Sequence, residues 1–167
     1  MTELQHPEAA FEHDDFEFDS IDEEVLVDQR CQQLLNRFYL HLQQQGMPAE
    51  RASEMAFSAD LYLRDYLLDF GRQNVVRPQA GIIAKFAASW FITHTLDPEF
   101  SMLEQHLKAI VKFYRYLRQQ HLISEDELAF LEREAGDLEF YKTRIDSFLG
   151  ITGDGFLAWD QECPARF

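Results

Sequence analysis

The chain has 167 residues, 46% of them apolar, and a net charge of −15 from 30 acidic and 15 basic residues. This is the length of one ordinary domain, and fifteen Phe residues supply much of the area for one sizeable core. Seven Gly and five Pro are few for an all-β fold with its many tight turns, and a field of this sign repels nucleic acid and anionic membrane.

The charge is segregated. Residues 1–24 hold ten carboxylates and no Lys or Arg, which leaves the rest of the chain at a net of −5. Residues 1–21 read as an acidic disordered tail, with Pro7 and no helical period. Phe16 and Phe18 sit among its carboxylates, a mixture that can enter a groove with a basic rim or serve only as a solubilising tail.

Apolar spacing then predicts helices in order. The first runs from about Asp22 to Gln45 on a stripe of Leu26, Leu34, Leu35, Phe38 and Leu42, with Gly46 as its stop. The second runs from about Pro48, suited to a first turn, to Phe70, with Gly71 ending it. The third, from about Pro78 to His94, is apolar over a wide arc and is the expected central, most buried helix; Asp97-Pro98 breaks the pattern after it. A fourth runs from about Glu99 to His121, with Ser101 and Glu104 at capping-box spacing, and a fifth starts at Ser124 with Glu127 as its capping partner. Gly136 divides this from a sixth stretch ending near Leu149. Residues 150–167 read as an irregular strap that packs Phe156, Leu157 and Trp159 on the bundle, or as a second tail. The expectation is an all-α fold, one compact bundle of five to six helices over residues 22–149.

Motifs for common chemistries are missing. There is no phosphate loop, no Gly-x-Gly-x-x-Gly after a strand, no Cys-x-x-Cys, no His-Glu-x-x-His and no nucleophile elbow. The one Glu-x-x-His, Glu3 to His6, falls in the tail rather than on the inward helix faces that a di-iron site needs. The six histidines have no ligand partner at helical spacing; His41 and His121 read as complements to helix C-termini. Cys31 reads as a small core or half-exposed residue rather than a nucleophile. No catalytic, cofactor or metal residue is therefore assigned. With two cysteines in no redox spacing, no basic-then-apolar start and no run near the ~20 apolar residues of a membrane span, a cytoplasmic protein with free thiols is expected.

One charged feature stands out. Lys108, Lys112, Arg115 and Arg118 follow at steps of four, three and three on one side of the fourth helix, with Phe113 and Tyr116 between them. It can be a solvated outer face, a contact for phosphates, or a seat for the acidic tail of the same or a neighbouring copy.

Two stretches carry a family resemblance. Leu34-Leu35-Asn36-Arg37-Phe38-Tyr39-Leu40-His41-Leu42, Gly46-Met47-Pro48 and Tyr62-Leu63-Arg64-Asp65-Tyr66-Leu67 form one; Leu107 to Leu117, with Lys108, Lys112 and Phe113-Tyr114-Arg115-Tyr116 inside it, and Leu122-Ile123 form the other. Together they resemble the helical N-terminal core-binding domain of tyrosine recombinases, the phage-integrase family. The resemblance implies that fold and a DNA-facing role for Lys108, Lys112 and Arg115. It does not imply strand transfer, since no His-x-x-Arg occurs.

The leading functional expectation is a non-enzymatic interaction domain that binds a protein partner or forms a homodimer. Phe113, Tyr114 and Tyr116 are expected not all to face inward, so an exposed aromatic surface is expected to help. The alternatives are a nucleic-acid module using the fourth-helix stripe with the tail as mask, disfavoured by net charge, and a small-ligand pocket near Trp90 and Tyr66.

Overall fold

A computed structural model of the chain describes residues 10–163. Among these residues there is a 3-10 turn, His13–Phe16, then seven helices, and no strand. Helix α1 is Ile21–Gln44. Helix α2 spans residues 49–70, an α-helical Ala49–Asp60 running straight into a π-helical Leu61–Phe70. Helix α3 spans residues 82–94 and has the π-helical Phe86–Trp90 at its centre. Then come α4, Phe100–Gln119; α5, Glu125–Ala135; α6, Leu138–Leu149; and α7, Gly155–Glu162. None of these helices is long and apolar enough to cross a membrane. The all-α expectation therefore holds, with one helix more than expected.

Local chemistry sets the boundaries. Ser20 caps α1 by accepting from the Glu23 N–H at 3.2 Å, and three carboxylates follow in the first turn, where the helix dipole favours them. Gly46, at φ +94°, ends the helix: its N–H reaches the Gln43 carbonyl and the Met47 N–H the Leu42 carbonyl, the paired bonds of a Schellman turn. Pro48 sits one position earlier than expected, as the cap of α2. Ser124 and Glu127 form the expected capping box, with reciprocal bonds of 3.1 and 2.9 Å. The box expected at Ser101 is absent. After Pro98 the extended backbone of Glu99 takes the capping position, so Ser101 lies inside the helix and Glu104 turns to Lys108.

The core is built where the two π-helical stretches meet. Their i→i+5 bonds, Gly71 N–H to Tyr66 O and Phe91 N–H to Phe86 O, mark widened turns. From there α2 and α3 run side by side in register: Tyr62 meets Phe86 at 5.1 Å, Tyr66 meets Trp90 at 5.4 Å and, beyond the π-helical part of α3, Phe70 meets His94 at 5.7 Å between ring centroids. Edge and tilted contacts of this kind add to area burial. Tyr66 and Trp90, the expected lining of a ligand pocket, here fill space with each other and with Phe86. Every residue of α3 from Ile82 to Ile92 is buried or half-buried, as expected for the central helix. Its N-terminus is capped from outside: the Glu134 carboxylate on α5 accepts from the Gly81 N–H at 3.0 Å and the Ala84 N–H at 3.2 Å.

Two expectations about the ends are corrected. Residues 10–20 of the acidic segment are not free; they form a strap on the body. Phe16 is fully buried, Phe11 packs edge-on to it at 5.3 Å, and Arg77 pairs with Asp14 and Glu17 at 3.0 and 2.7 Å. Asn74 donates to the His13 carbonyl, and the Arg37 and Arg72 guanidinium groups lie over Phe11 and Phe18. Sequence statistics saw the carboxylates and not the Arg residues, far along the chain, that receive them. The rest of the expected tail, residues 1–9, lies outside the described residues. At the other end, part of the expected strap is the helix α7. Arg144 is buried, donates to the Ala88 and Trp159 carbonyls at 3.1 and 2.7 Å and stacks on the Trp159 indole, whose N–H returns a bond to the Arg144 carbonyl at 3.0 Å. Trp159 is thereby seated as expected, whereas Phe156 and Leu157 stay exposed.

Three predictions follow from this packing. Phe16→Ala empties a core site filled from the strap and is expected to lower stability by about 3 kcal/mol in denaturant melts. Tyr62 carries a buried hydroxyl with no partner among the described residues, whereas the Tyr66 hydroxyl donates to the Ile82 carbonyl at 2.8 Å. Tyr62→Phe is thus expected to leave stability unchanged or raise it by up to about 1 kcal/mol, and Tyr66→Phe to lower it by about 1 kcal/mol; the reverse order in melts would refute the assigned bonds. Burial pushes the Cys31 thiol up to about 12 and holds the Tyr62, Tyr66, Tyr114 and Tyr141 hydroxyls above the ordinary tyrosine value. Above about pH 9 the unfolded chain loses protons that the native one keeps, so stability is expected to be intact below pH 9 and to fall steadily above it in melts from pH 7 to 11.

Candidate functional site

The basic stripe borders a groove. One stretch, about 450 Å³, lies between the start of α2, the outer side of α4 and the α5–α6 junction, over a floor of Met55, Leu107, Val111 and Leu138. A second, about 560 Å³, continues along α4 to the α1–α2 turn, past Leu42 and Met47. Both stretches are lined by Arg51, Lys112 and Arg115. Leu42 and Met47 are the two ends of the long bond in the α1 Schellman turn, so the turn that stops α1 also builds a groove wall.

Neighbouring carboxylates partly neutralise the rim. Arg51 pairs with Glu54 at 3.3 Å, Lys108 with Glu104 at 3.8 Å and Arg115 with Glu132 at 3.2 Å. Exposed pairs of this kind are worth about 0–1 kcal/mol and exchange readily for another anion. Lys112 is exposed and has no ion pair among the described residues. The groove thus offers a cationic rim over an apolar floor, on a chain that is strongly negative elsewhere.

The sequence-predicted residues part company here. Lys108, Lys112 and Arg115 line the groove, while Arg118 leaves it to pair with Glu125 at 2.8 Å. Phe113, Tyr114 and Tyr116 are all buried, against the expectation that at least one faces solvent. Helix α4 has partners on two sides: Phe113 and Tyr116 pack on Phe38 of α1 at 5.3 and 5.9 Å, and Tyr114 faces Tyr62 of α2 and donates to the Val75 carbonyl at 2.9 Å. Phe16 and Phe18 belong to the strap, so neither forms an interaction surface with the stripe. The described part of the acidic segment pairs with Arg77 and donates no carboxylate to α4, which corrects the masking idea for residues 10–20.

Arg51 was missed. It stands in the first turn of α2, where the helix dipole disfavours a cation; that misplacement was the available signal. Among the described residues no group of three or more His, Cys, Asp and Glu is placed to hold a metal ion. Both Cys31 and Cys163 are buried free thiols. No protein-family model, curated protein or solved structure matches the chain.

Proposed function

We propose that this chain is a protein-interaction module whose groove along α4 takes an acidic segment of a partner protein that also carries apolar side chains. The observation that supports this is the convergence of Arg51, Lys112 and Arg115 over an apolar floor. Opposite charge would steer the partner and set its register, while the floor of Met55, Leu107 and Val111 would supply the desolvation that gives affinity. The rim carboxylates Glu54, Glu104 and Glu132 weaken the case for a polyphosphate, since each faces the same groove or pairs with its cations and would repel a backbone that carries a charge at every step. The resemblance to the core-binding domain keeps duplex DNA as the second reading, because Arg51 adds a fourth cation to the three that it implies.

The test is a photo-crosslinking residue at position 112, with one at the exposed Glu139 as the control, followed by binding measurements on the purified captured protein. The expected outcome is a partner captured at 112 and not at 139. Lys112→Glu, which breaks no ion pair, should then raise its Kd about tenfold, and added salt should weaken wild-type binding. Equal capture at both positions, or a Kd untouched by Lys112→Glu, sinks the proposal. A 20-base-pair DNA duplex bound with a steep salt dependence that Lys112→Glu reduces would put the second reading in its place. Capture of a second copy alone would assign the groove to self-association.

A further inference from the structure

A different cleft lies where α2, the end of α3 and the start of α4 meet, and it shares no lining residue with the α4 groove. Its floor is Phe91, Ser58 and His106, all buried, and its walls are Leu61, Phe57 and Met102. The volume, about 630 Å³, is in the range of small-molecule sites, which are mostly apolar with a few converging polar groups.

Two features of the cleft are hard to explain as packing. Ser58 and His106 are polar residues at positions where the neighbours, Met55, Ala59, Leu103, Leu107 and Ile110, belong to the core. They meet each other, His106 Nδ1 to Ser58 Oγ at 2.9 Å. A buried polar group costs stability unless it is hydrogen-bonded. This pair satisfies only one side of the imidazole. Among the described residues Nε2 makes no hydrogen bond, and His106 lines the cleft. Phe57 also stays 72% exposed beside the opening, an apolar ring held in water rather than folded inward.

We propose that this cleft binds a small neutral molecule with an apolar body and a hydroxyl head group, the hydroxyl bonding to His106 Nε2 while the body lies on Phe91, Leu61, Phe57 and Met102. A hydroxyl both donates and accepts, so it matches the imidazole whichever nitrogen carries the proton. A charged head group does not suit the site. Among the described residues no cation lines the cleft, and Glu54 at its rim is already paired with Arg51, so an anion finds no partner there. Burial holds the His106 imidazole below the ordinary histidine value, so the ring is neutral at pH 7 and offers no charge to a carboxylate. A cationic ligand would have only Glu54, at the exposed rim, to meet it.

The experiment is a titration of the full ¹⁵N-labelled chain with 1-octanol, and in parallel with octanoate, read by amide shifts. The expected result is saturable shifts centred on Ser58, Phe91, Met102 and His106, with octanoate binding at least tenfold more weakly. His106→Phe keeps an aromatic side chain and removes both ring nitrogens, Nε2 and the Nδ1 that meets Ser58; it should weaken octanol at least tenfold. Met102→Trp, a change at the exposed rim, should fill the opening and abolish the shifts. Shifts that scatter or never saturate, octanoate binding as tightly as octanol, or a folded His106→Phe or Met102→Trp chain that binds octanol as wild type does would each overturn the proposal.

Discussion

The register between the π-helical parts of α2 and α3 is the constraint on which the rest of the molecule depends. Tyr62, Tyr66 and Phe70 recur every four residues and meet Phe86, Trp90 and His94, which recur with the same step. Large rings at matched spacing can interleave in one alignment only, because a shift by one residue would place rings against helix backbone. With that joint fixed, the loop between the helices brings Val75 under Tyr114, and the first residue of α3 sets the Ile82 carbonyl over Tyr66. Helix α2 then has α1 and α4 as further neighbours. The aromatic centre is filled, so the clefts lie outside it, along the outer side of α4 and at the junction of α2, α3 and α4.

Charge segregation has a structural use as well as a solvation one. The strap over residues 10–20 places Asp14 and Glu17 on Arg77, Glu24 meets Arg72, and Phe16 enters the core beneath them. Each exposed pair contributes little alone. Together with the buried ring they hold an element that has little helical propensity of its own. The same arrangement uses up the cations on that side. It leaves the α4 side, where Lys112 has no ion pair among the described residues, as the less negative part of the described surface.

The helix ends show how far local rules reach. Gly46 and the Ser124–Glu127 box lie where local spacing puts them, since their bonds run to residues within five positions. The α3 N-terminus has no local cap, and Glu134, more than fifty residues away, supplies it. His121 is a further case: it ends α4 at φ +61°, a conformation that glycine adopts more freely, because the Leu122 N–H must reach the Leu117 carbonyl to close the turn. Its place at the helix end was legible in the sequence, but its left-handed backbone was not.

The sequence by itself determined the all-helical class, six of the seven helices to within a few residues at most of their ends, the central place of α3 and the shared side of Lys108, Lys112 and Arg115. All of these rest on periodicity and capping, which act over one or two turns. Only the tertiary structure decided that Phe113, Tyr114 and Tyr116 all turn inward, that the acidic segment binds back through Phe16, that Arg51 joins the stripe and that Ser58 meets His106. Each of these depends on which helices become neighbours. A helix with one partner buries a single stripe, and α4 has partners on two sides. The number of partners a helix has is a property of the assembled bundle, set by the fit of the α2–α3 rings, and no stretch of sequence carries it alone.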